Sequence, residues 1–313
     1  MPADAAVVTL ETKPKSARPS ATATMPTIGQ AATGTNGVDA PGAGQLDVLK
    51  FFKSIKDNSH VQRWGIRLFA LSIGVLFWHW ATTVNLNYYI NFENVPEPYK
   101  VWTAFVAQLG GTEFYIHIIV SLQRIFYGYA LAVAIGVGLG LAMGRSQFAR
   151  DILMPYIEIL RPIPAVAWIP LAILMWPTEE ASIIYITFLG ALFPIILNTM
   201  HGVEQTPEVL IRAARSLGAR RMQIFRHVVL PAALPSIATG LAVGMGVSWF
   251  SLLAGEIISG QYGIGYFTWN AYSLINYPDI VVGMLCIGFL GTGCTYLVQL
   301  MTRPFLRWQE KAR

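Results

Sequence analysis

Residues 181–200, ASIIYITFLGALFPIILNTM, form an apolar run without a charged side chain. A helix of about 20 residues crosses the ~30 Å hydrocarbon core of a bilayer, so this run predicts a transmembrane helix. The whole 313-residue chain has the same character, because 54% of it is hydrophobic and only 12% is charged. Soluble domains carry about 25% charged residues. The composition therefore argues against a soluble enzyme, a disordered regulator and a fibrous protein.

Further apolar runs of similar length predict an all-α polytopic membrane protein with six transmembrane helices. The predicted spans are 66–84, 125–143, 157–176, 181–200, 235–254 and 280–301. The third run is the least regular, because Pro162, Pro164 and Pro170 interrupt it. Proline frees a backbone carbonyl and kinks a helix, which a membrane protein tolerates inside a bundle or beside a cavity.

Glycine spacing on two of these runs predicts close helix packing. Gly136, Gly140 and Gly144 recur every four residues on the second run, as do Gly240 and Gly244 on the fifth. Small residues at this spacing let helix backbones approach one another. Packing within the chain is the favoured interpretation, and a contact between subunits is the alternative.

Charge alternates along the segments that connect the runs. Basic residues such as Arg145, Arg150 and Arg226 occupy every second segment, whereas the segments between them are poor in bases and contain carboxylates such as Glu179 and Glu180. Excess Lys and Arg marks cytoplasmic loops of membrane proteins. The pattern predicts an even number of spans with both termini in the cytoplasm. It also explains the net charge of +5 without a nucleic-acid partner.

The predicted organisation outside the apolar runs is simple. Residues 1–45 are rich in Ala, Thr, Pro and Gly and are expected to be a disordered cytoplasmic tail. Residues 46–63 have helical spacing of apolar residues opposite lysines, which predicts an amphipathic helix at the membrane interface. The transmembrane domain is predicted over 64–305, and a second cytoplasmic tail over 306–313.

The connection 201–230 is the one long basic loop, and it has the pattern of two helices around a turn. Thr206 suits an N-cap, Pro207 the first helical position, and Gly218 a helix C-terminus. A second helical stretch is expected to end at Pro231.

The first helix of this loop combines small apolar residues with arginines. One face holds Leu210, Ala213, Ala214 and Leu217, and another holds Glu208, Arg212 and Arg215. Small side chains admit a close partner and arginines supply charge complementarity, so the helix predicts a docking surface. A surface helix that packs only on its own chain is the alternative.

The same loop resembles the coupling motif of ABC importer permeases, which reads Glu-Ala-Ala, three residues, Gly, nine residues, Ile-x-Leu-Pro. Here the spacing is kept by Ala213-Ala214, Gly218 and Val228-x-Leu230-Pro231. The chain departs from the motif at Arg212, where Glu is usual, and at Val228, where Ile is usual.

Three further stretches resemble the nitrate/sulfonate/taurine/bicarbonate group of these permeases. They are LRPIPAVAWIP at 160–170, AARSLGA at 213–219 and GIGY at 263–266. The resemblance covers roughly residues 60–305. It implies a type I ABC importer permease architecture in the bacterial inner membrane, surrounded by lipid, that passes a small anion through the bilayer.

The resemblance also implies the partners. Such a permease pairs with a second permease copy, expected here as a homodimer, and receives solute from an extracytoplasmic substrate-binding protein. Cytoplasmic ATP-binding subunits would grip the loop and carry ATP and Mg²⁺, while this chain binds no cofactor and is not itself an enzyme. It contains no G-x-x-x-x-G-K-[ST] phosphate loop. The expected coupling residues are Glu208, Arg212, Ala213, Ala214, Arg215, Leu217, Gly218, Leu230 and Pro231.

An anion in a low-dielectric pore needs hydrogen-bond donors or positive charge. The candidate pathway residues are Arg161, Trp168, Asn198, Ser248, Trp249, Ser251 and Glu256. Structural roles are the alternatives, including an Arg161–Glu158 ion pair. Glu256 is expected near the outer rim, where it would cap a gate or contact the binding protein. Residues 261–277 are aromatic and short, which favours an interfacial helix over the pore mouth.

Two other classes of function are the alternatives. A membrane-embedded enzyme would need a cluster such as H-E-x-x-H or G-x-S-x-G, and neither motif nor a metal-ligand set is present in the sequence. A secondary transporter or channel working without an ATPase would be supported by buried mid-span carboxylates, which are nearly absent. Nitrate, bicarbonate, taurine and alkanesulfonates all remain compatible as the anion.

Overall fold

The computed structural model describes residues 59–84, 92 and 94–306, and the regular elements in this part are all helical. The chain divides into two compact units, 1–66 and 67–313. The predicted tails at 1–45 and beyond residue 306 lie outside the described residues. So does the predicted interfacial helix up to residue 58, and its last residues, 59–63, form the first turn of the first described helix.

The described helices comprise long apolar segments and shorter helices that connect them. In chain order they are α1 (Ser59–Thr83), α2 (Pro98–Leu109), α3 (Thr112–Arg145), α4 (Gln147–Leu160), α5 (Ile169–Met175), α6 (Glu179–Glu204), α7 (Glu208–Ser216), α8 (Arg221–Ile224), α9 (Leu230–Ser259), α10 (Ile264–Ser273) and α11 (Tyr277–Thr302). Short 3₁₀ turns at Ala165–Trp168 and Arg303–Leu306 and a π turn at Phe225–Val229 complete the set.

Five of these segments are long and apolar enough to cross a bilayer. The third predicted span is not one straight helix, because α4 and the segment Ala165–Met175 meet at 85°. Pro162 and Pro164 lie in the break, where neither can donate a backbone hydrogen bond. Pro170 lies in the first turn of α5, a position that proline tolerates.

Glycines on α3 pack against α6 in a constant register. A Cβ added to any of them would lie 2.5–2.9 Å from an α6 side chain, so the two backbones approach as closely as glycine allows. The contacts are Gly128 with Thr187, Gly136 with Ile195, Gly140 with Thr199, and Gly144 with Val203. Because both residue numbers rise together, α3 and α6 are parallel. Residues 146–178 must therefore return across the bundle, which makes the bent pair the candidate for a sixth span.

Helix α9 also packs against α6, but in the opposite direction. Gly240 lies against Asn198 and Gly244 against Ile195, so the residue number falls on α6 as it rises on α9. The glycine spacing thus serves packing within the chain, as predicted. Where α3, α6 and α9 meet, their side chains form an apolar core of Ile125, Ile183, Met245, Trp249 and Leu252.

Candidate coupling hairpin and solute pathway

Helix α7 is a short helix with a firm C-terminal end. It begins at Glu208 with Pro207 in the N-cap position, so Thr206 is not the N-cap that the sequence pattern predicts. At the other end Gly218 has a φ of +80°, which glycine adopts without steric cost. The amides of Gly218 and Ala219 then bond back to the carbonyls of Arg215 and Ala214 at 2.9 and 3.1 Å. This Schellman arrangement satisfies the last carbonyls of the helix and turns the chain sharply.

The surface of α7 is apolar where an ordinary solvated helix would be polar. Leu217 is 88% exposed, Val209 67% and Leu210 50%. Ala213 is also exposed, and Ala214 is half-buried. Exposed apolar residues grouped on one small element mark a binding surface.

Within the described part of the chain, the charged residues of α7 pair weakly or not at all. Arg212, which stands where the family motif has Glu, lies 3.7 Å from the Glu208 carboxylate one turn earlier, and both side chains are mostly exposed. Such an exposed pair contributes little to stability. Arg215 is exposed in the last turn of α7.

Leu230 and Pro231 do not end a helix, contrary to the expectation from sequence. The chain runs as one apolar helical segment from Arg221 to Ile258. A π turn at Phe225–Val229 lets the Leu230 amide bond to the Phe225 carbonyl, so the helix accommodates the missing N–H of Pro231 without stopping. Leu230 packs with Val203 of α6 and Ala233 of α9, and so connects the hairpin to these two helices.

The bend between α4 and α5 borders a cavity of 280 Å³ against α6 and α9. Its lining includes Arg161, Pro164, Trp168, Phe193, Pro194 and Val247. Arg161 and Trp168 thus line the same cavity, while their role in a solute pathway stays a prediction. Among the described residues Arg161 and Glu158 form no ion pair, so that alternative is wrong and the guanidinium is exposed at the cavity.

Four other candidate pathway residues lie away from this cavity. Asn198 is half-buried and donates a 2.8 Å hydrogen bond to the Pro194 carbonyl of its own helix. Ser251 donates to the Val247 carbonyl at 2.9 Å, and Trp249 belongs to the apolar core. Ser248 is fully buried, and its hydroxyl has no hydrogen-bond partner in the described part of the chain. Their positions indicate packing between helices.

Glu256 is fully buried, which argues against the predicted contact with a binding protein, while its place near the outer rim stays a prediction. Its carboxylate accepts a hydrogen bond from Arg124 at 3.1 Å, from the Ser121 hydroxyl at 2.7 Å and from the Gly265 amide at 2.9 Å. Each interaction comes from this chain, so the side chain is not free to contact a binding protein. The stretch 261–277 contains helix α10, whose place at the membrane interface stays a prediction, and the loop before it covers Glu256.

The sequence does not predict that Arg124 pairs with Glu256. The arginine is 3% exposed and also binds the carboxylate of Glu180 and, at 2.6 Å, the carbonyl of Tyr262. Nearby, His117 accepts a 3.0 Å hydrogen bond from the Gly263 amide. The carboxylates and the carbonyl compensate the buried guanidinium, and removal of one partner would leave an uncompensated buried charge. The cluster holds α3, α6, α9 and the loop 260–263 together.

Residues 133–310 match the family model of the binding-protein-dependent transport system inner membrane component. The chain belongs to this family. Membership makes it a multi-pass inner-membrane protein and an ABC importer permease of the nitrate/sulfonate/taurine group, as the sequence motifs predicted. The family match includes the bend, the cavity, α7 and Glu256, whereas Arg124 and Ser121 precede it.

Curated relatives span most of the permease. A putative aliphatic sulfonates transport permease of Escherichia coli is 36% identical over 251 residues, covering 79% of this chain and 94% of the relative. The taurine transport system permease of the same organism is 35% identical, covering 78% and 90%. A nitrate import permease of Synechocystis is 37% identical over 184 residues, covering 58% and 67%.

The sequence indicates only part of the cluster around Glu256. The GIGY stretch at 263–266 contains Gly263, whose φ of +122° requires glycine. That conformation aims the Gly265 amide at Glu256. Nothing local in the sequence pairs Arg124 with Glu256, because the two residues are 132 positions apart.

Proposed function

We propose that this permease is the pore subunit of an ATP-driven importer for a small anion of the nitrate, sulfonate, taurine or bicarbonate type. Helix α7 would be gripped by a cytoplasmic ATP-binding subunit that carries ATP and Mg²⁺, and an extracytoplasmic binding protein would deliver the anion. A second copy of the chain would complete the pore as a homodimer. The chain itself binds no cofactor in this scheme and hydrolyses nothing.

The observation that carries this proposal is the exposed apolar surface of α7. Val209 and Leu210 of this nine-residue helix, and Leu217 directly after it, are 67%, 50% and 88% exposed, and a groove on a partner would bury their apolar surface favourably. Only the short turn 217–220 separates the helix from the membrane domain. On its C-terminal side α8, the π turn and α9 form one continuous segment, so a displacement of α7 is passed directly to a span that packs on α6.

The cavity at the bend supports an anion as the solute. Arg161 provides a guanidinium there that no described carboxylate neutralises. The remaining lining is mostly apolar and includes Trp168 and Phe193. A charge in such surroundings binds an anion more strongly than it does in water, because the local dielectric constant is lower.

Ala213→Glu tests the docking of α7. The longer, charged side chain would keep an ATP-binding subunit from approaching, so ATP-driven uptake into vesicles and co-purification of an ATPase subunit should both be lost. Ala213→Ser is the matched control, because it adds one hydroxyl at the same exposed position and should leave both intact. Normal uptake by Ala213→Glu, with the protein folded by size-exclusion chromatography, would refute the assignment.

The orientation of α7 is tested independently by labelling. Ser216→Cys places a thiol at an exposed position of the helix. A membrane-impermeant maleimide should reach it only from the cytoplasmic side of the membrane. Labelling from the outside would rule out an ATPase contact at this helix.

A further inference from the structure

A cleft separates α7 from the ends of the membrane spans. Its volume is 370 Å³, within the range of small-molecule sites. Arg145, Arg215 and Arg221 border it, and Ile211, Phe225 and Val229 contribute to an apolar lining. We call this the arginine cleft. It lies outside the bend cavity and shares no lining residue with it.

The three arginines of the cleft have no acidic partner within the described residues. None of them appears in an ion pair, and the nearby carboxylates are engaged elsewhere: Glu204 with Arg150 and Glu208 with Arg212. No acidic residue lines the cleft. Three like charges around one cavity repel each other, and an anion bound between them would relieve that repulsion.

One of the guanidinium groups is held in place before any ligand arrives. The Arg145 guanidinium lies over the ring of Phe225 at 4.8 Å from its centroid. A cation–π contact of this kind restricts the side chain, so less conformational entropy is lost when it binds an anion. Phe225 itself belongs to the π turn that joins α8 to α9.

The position of the cleft at the ends of three helices indicates which kind of ligand it binds. Gly144 and Arg145 end α3, Val203 lies in the last turn of α6, and Val229 precedes α9. The cleft therefore lies where three helices leave the apolar region, which is the level of lipid headgroups. Guanidinium groups bind phosphate through paired N–H donors, and basic pockets between spans bind anionic headgroups.

We propose that the arginine cleft binds a phosphate group, carried either by an anionic phospholipid or by a soluble phosphate. The apolar lining beside the arginines fits the glycerol and upper acyl region of a lipid. A ligand held there contacts α3, α7 and the π turn at once, and so braces α7 against the spans. This inference does not depend on which anion the permease transports.

The test uses the full-length chain purified in detergent, with phosphatidylglycerol and phosphatidylcholine added in turn and bound lipid counted by native mass spectrometry. Phosphatidylglycerol should be retained preferentially. Arg145→Gln and Arg221→Gln should each weaken its binding roughly tenfold, as expected for loss of one charge-assisted hydrogen-bonding group. Arg226→Gln is the matched control, since Arg226 is exposed in the same segment but does not line the cleft.

A second arm identifies the source of the phosphate. Inorganic phosphate is titrated by calorimetry into the chain in phosphatidylcholine nanodiscs. Binding that the Arg221→Gln variant loses, without a preference for phosphatidylglycerol, would assign the site to a soluble ligand and still support the proposal. If neither probe binds, or if Arg226→Gln loses as much as the two cleft variants, the proposal is overturned.

The proposal can also be tested without any variant, in case a substitution prevents folding. Should Arg145→Gln fail to fold because Phe225 loses its contact, the unmodified chain still gives an answer by competition. Inorganic pyrophosphate in excess should displace phosphatidylglycerol from a phosphate site. Retention of the same lipid count at saturating pyrophosphate, together with an unaffected Arg221→Gln, would contradict the inference.

Discussion

Arg124 of α3 and Glu256 of α9 form an ion pair that solvent does not reach. Nη1 of Arg124 lies 3.1 Å from Oε1 of Glu256, and the two side chains are 3% and 0% exposed. The same carboxylate binds the Ser121 hydroxyl of α3 and the Gly265 amide of α10, so one side chain links α9 to both of these helices. The pair is therefore a structural clamp of the permease rather than part of an open pathway.

Arg124→Met should strongly destabilise the fold. The substitution keeps an apolar side chain of similar length but leaves the Glu256 carboxylate buried without its counter-charge. Breaking one side of a buried pair costs about 3–5 kcal/mol. The measurement is thermal unfolding of the purified chain in detergent.

Glu180→Gln is the control for that prediction. It removes the other carboxylate on Arg124, but Glu180 is 57% exposed and water can replace it. Exposed ion pairs contribute about 0–1 kcal/mol, so the loss should be much smaller. Equal destabilisation by the two variants would show that the buried pair is not the clamp.

Gly263→Ala should release the loop before α10. Its φ of +122° is unfavourable for alanine, and an added Cβ would lie 2.6 Å from Oε2 of Glu256. Strained backbone of this kind costs about 1–3 kcal/mol. Limited proteolysis between residues 260 and 264 should accelerate, together with a lower unfolding temperature. Gly246→Ala, at an exposed position of α9 with no atom within 4 Å, should show neither change.

Hydropathy predicted the long helices because a bilayer span requires a continuous apolar run, which is a local property of the sequence. Local patterns failed where the outcome depends on distant partners. Counting residues along the predicted fifth span from Pro235 predicts where Glu256 lies along the helix, near its outer end, but not whether its side chain is buried. The structure folds the chain after residue 259 back over that carboxylate, and no count along one helix reveals this.

The structure differs from the sequence-based prediction at two other places, Pro231 and helix α2, and in both the cause is local. Proline after a helical stretch usually marks its end, but a π turn before Pro231 absorbs the missing donor. Helix α2, residues 98–109, was not predicted because it is too short for a span and lies between two of them. For the candidate site, α7 and its Gly218 turn were predicted correctly, whereas the cavity lining was predicted only at Arg161 and Trp168.

Gly140→Ala should separate α3 from α6. Its Cβ would lie 2.7 Å from the Ile196 carbonyl, a backbone atom that cannot move without the whole helix. Overpacking of this kind costs about 1–3 kcal/mol. Gly138→Ala is the control on the same helix, because nothing lies within 4 Å of that position and alanine favours helix. If both variants unfold at the same temperature as the unmodified chain, the close approach of the helices is not needed for stability.

Arg161→Gln should impair anion uptake without loss of folding. Arg161 supplies the guanidinium at the cavity beside the α4–α5 bend, and its removal takes away a charged donor for the passing anion. Loss of such a donor corresponds to a roughly tenfold weaker interaction, which should appear as a lower rate of uptake at limiting anion concentration. Arg161→Lys keeps the charge and should retain part of the activity.

Glu158→Gln provides the comparison for Arg161. Glu158 is exposed one helical turn earlier, but it does not line the cavity and does not pair with Arg161 among the described residues. Its neutralisation should therefore leave uptake unchanged. Because uptake also requires α7 to dock, ATPase co-purification is measured on the same preparations and should be normal for both variants. Equal uptake by Arg161→Gln and the unmodified permease would remove the cavity from the pathway while leaving the coupling role of α7 intact.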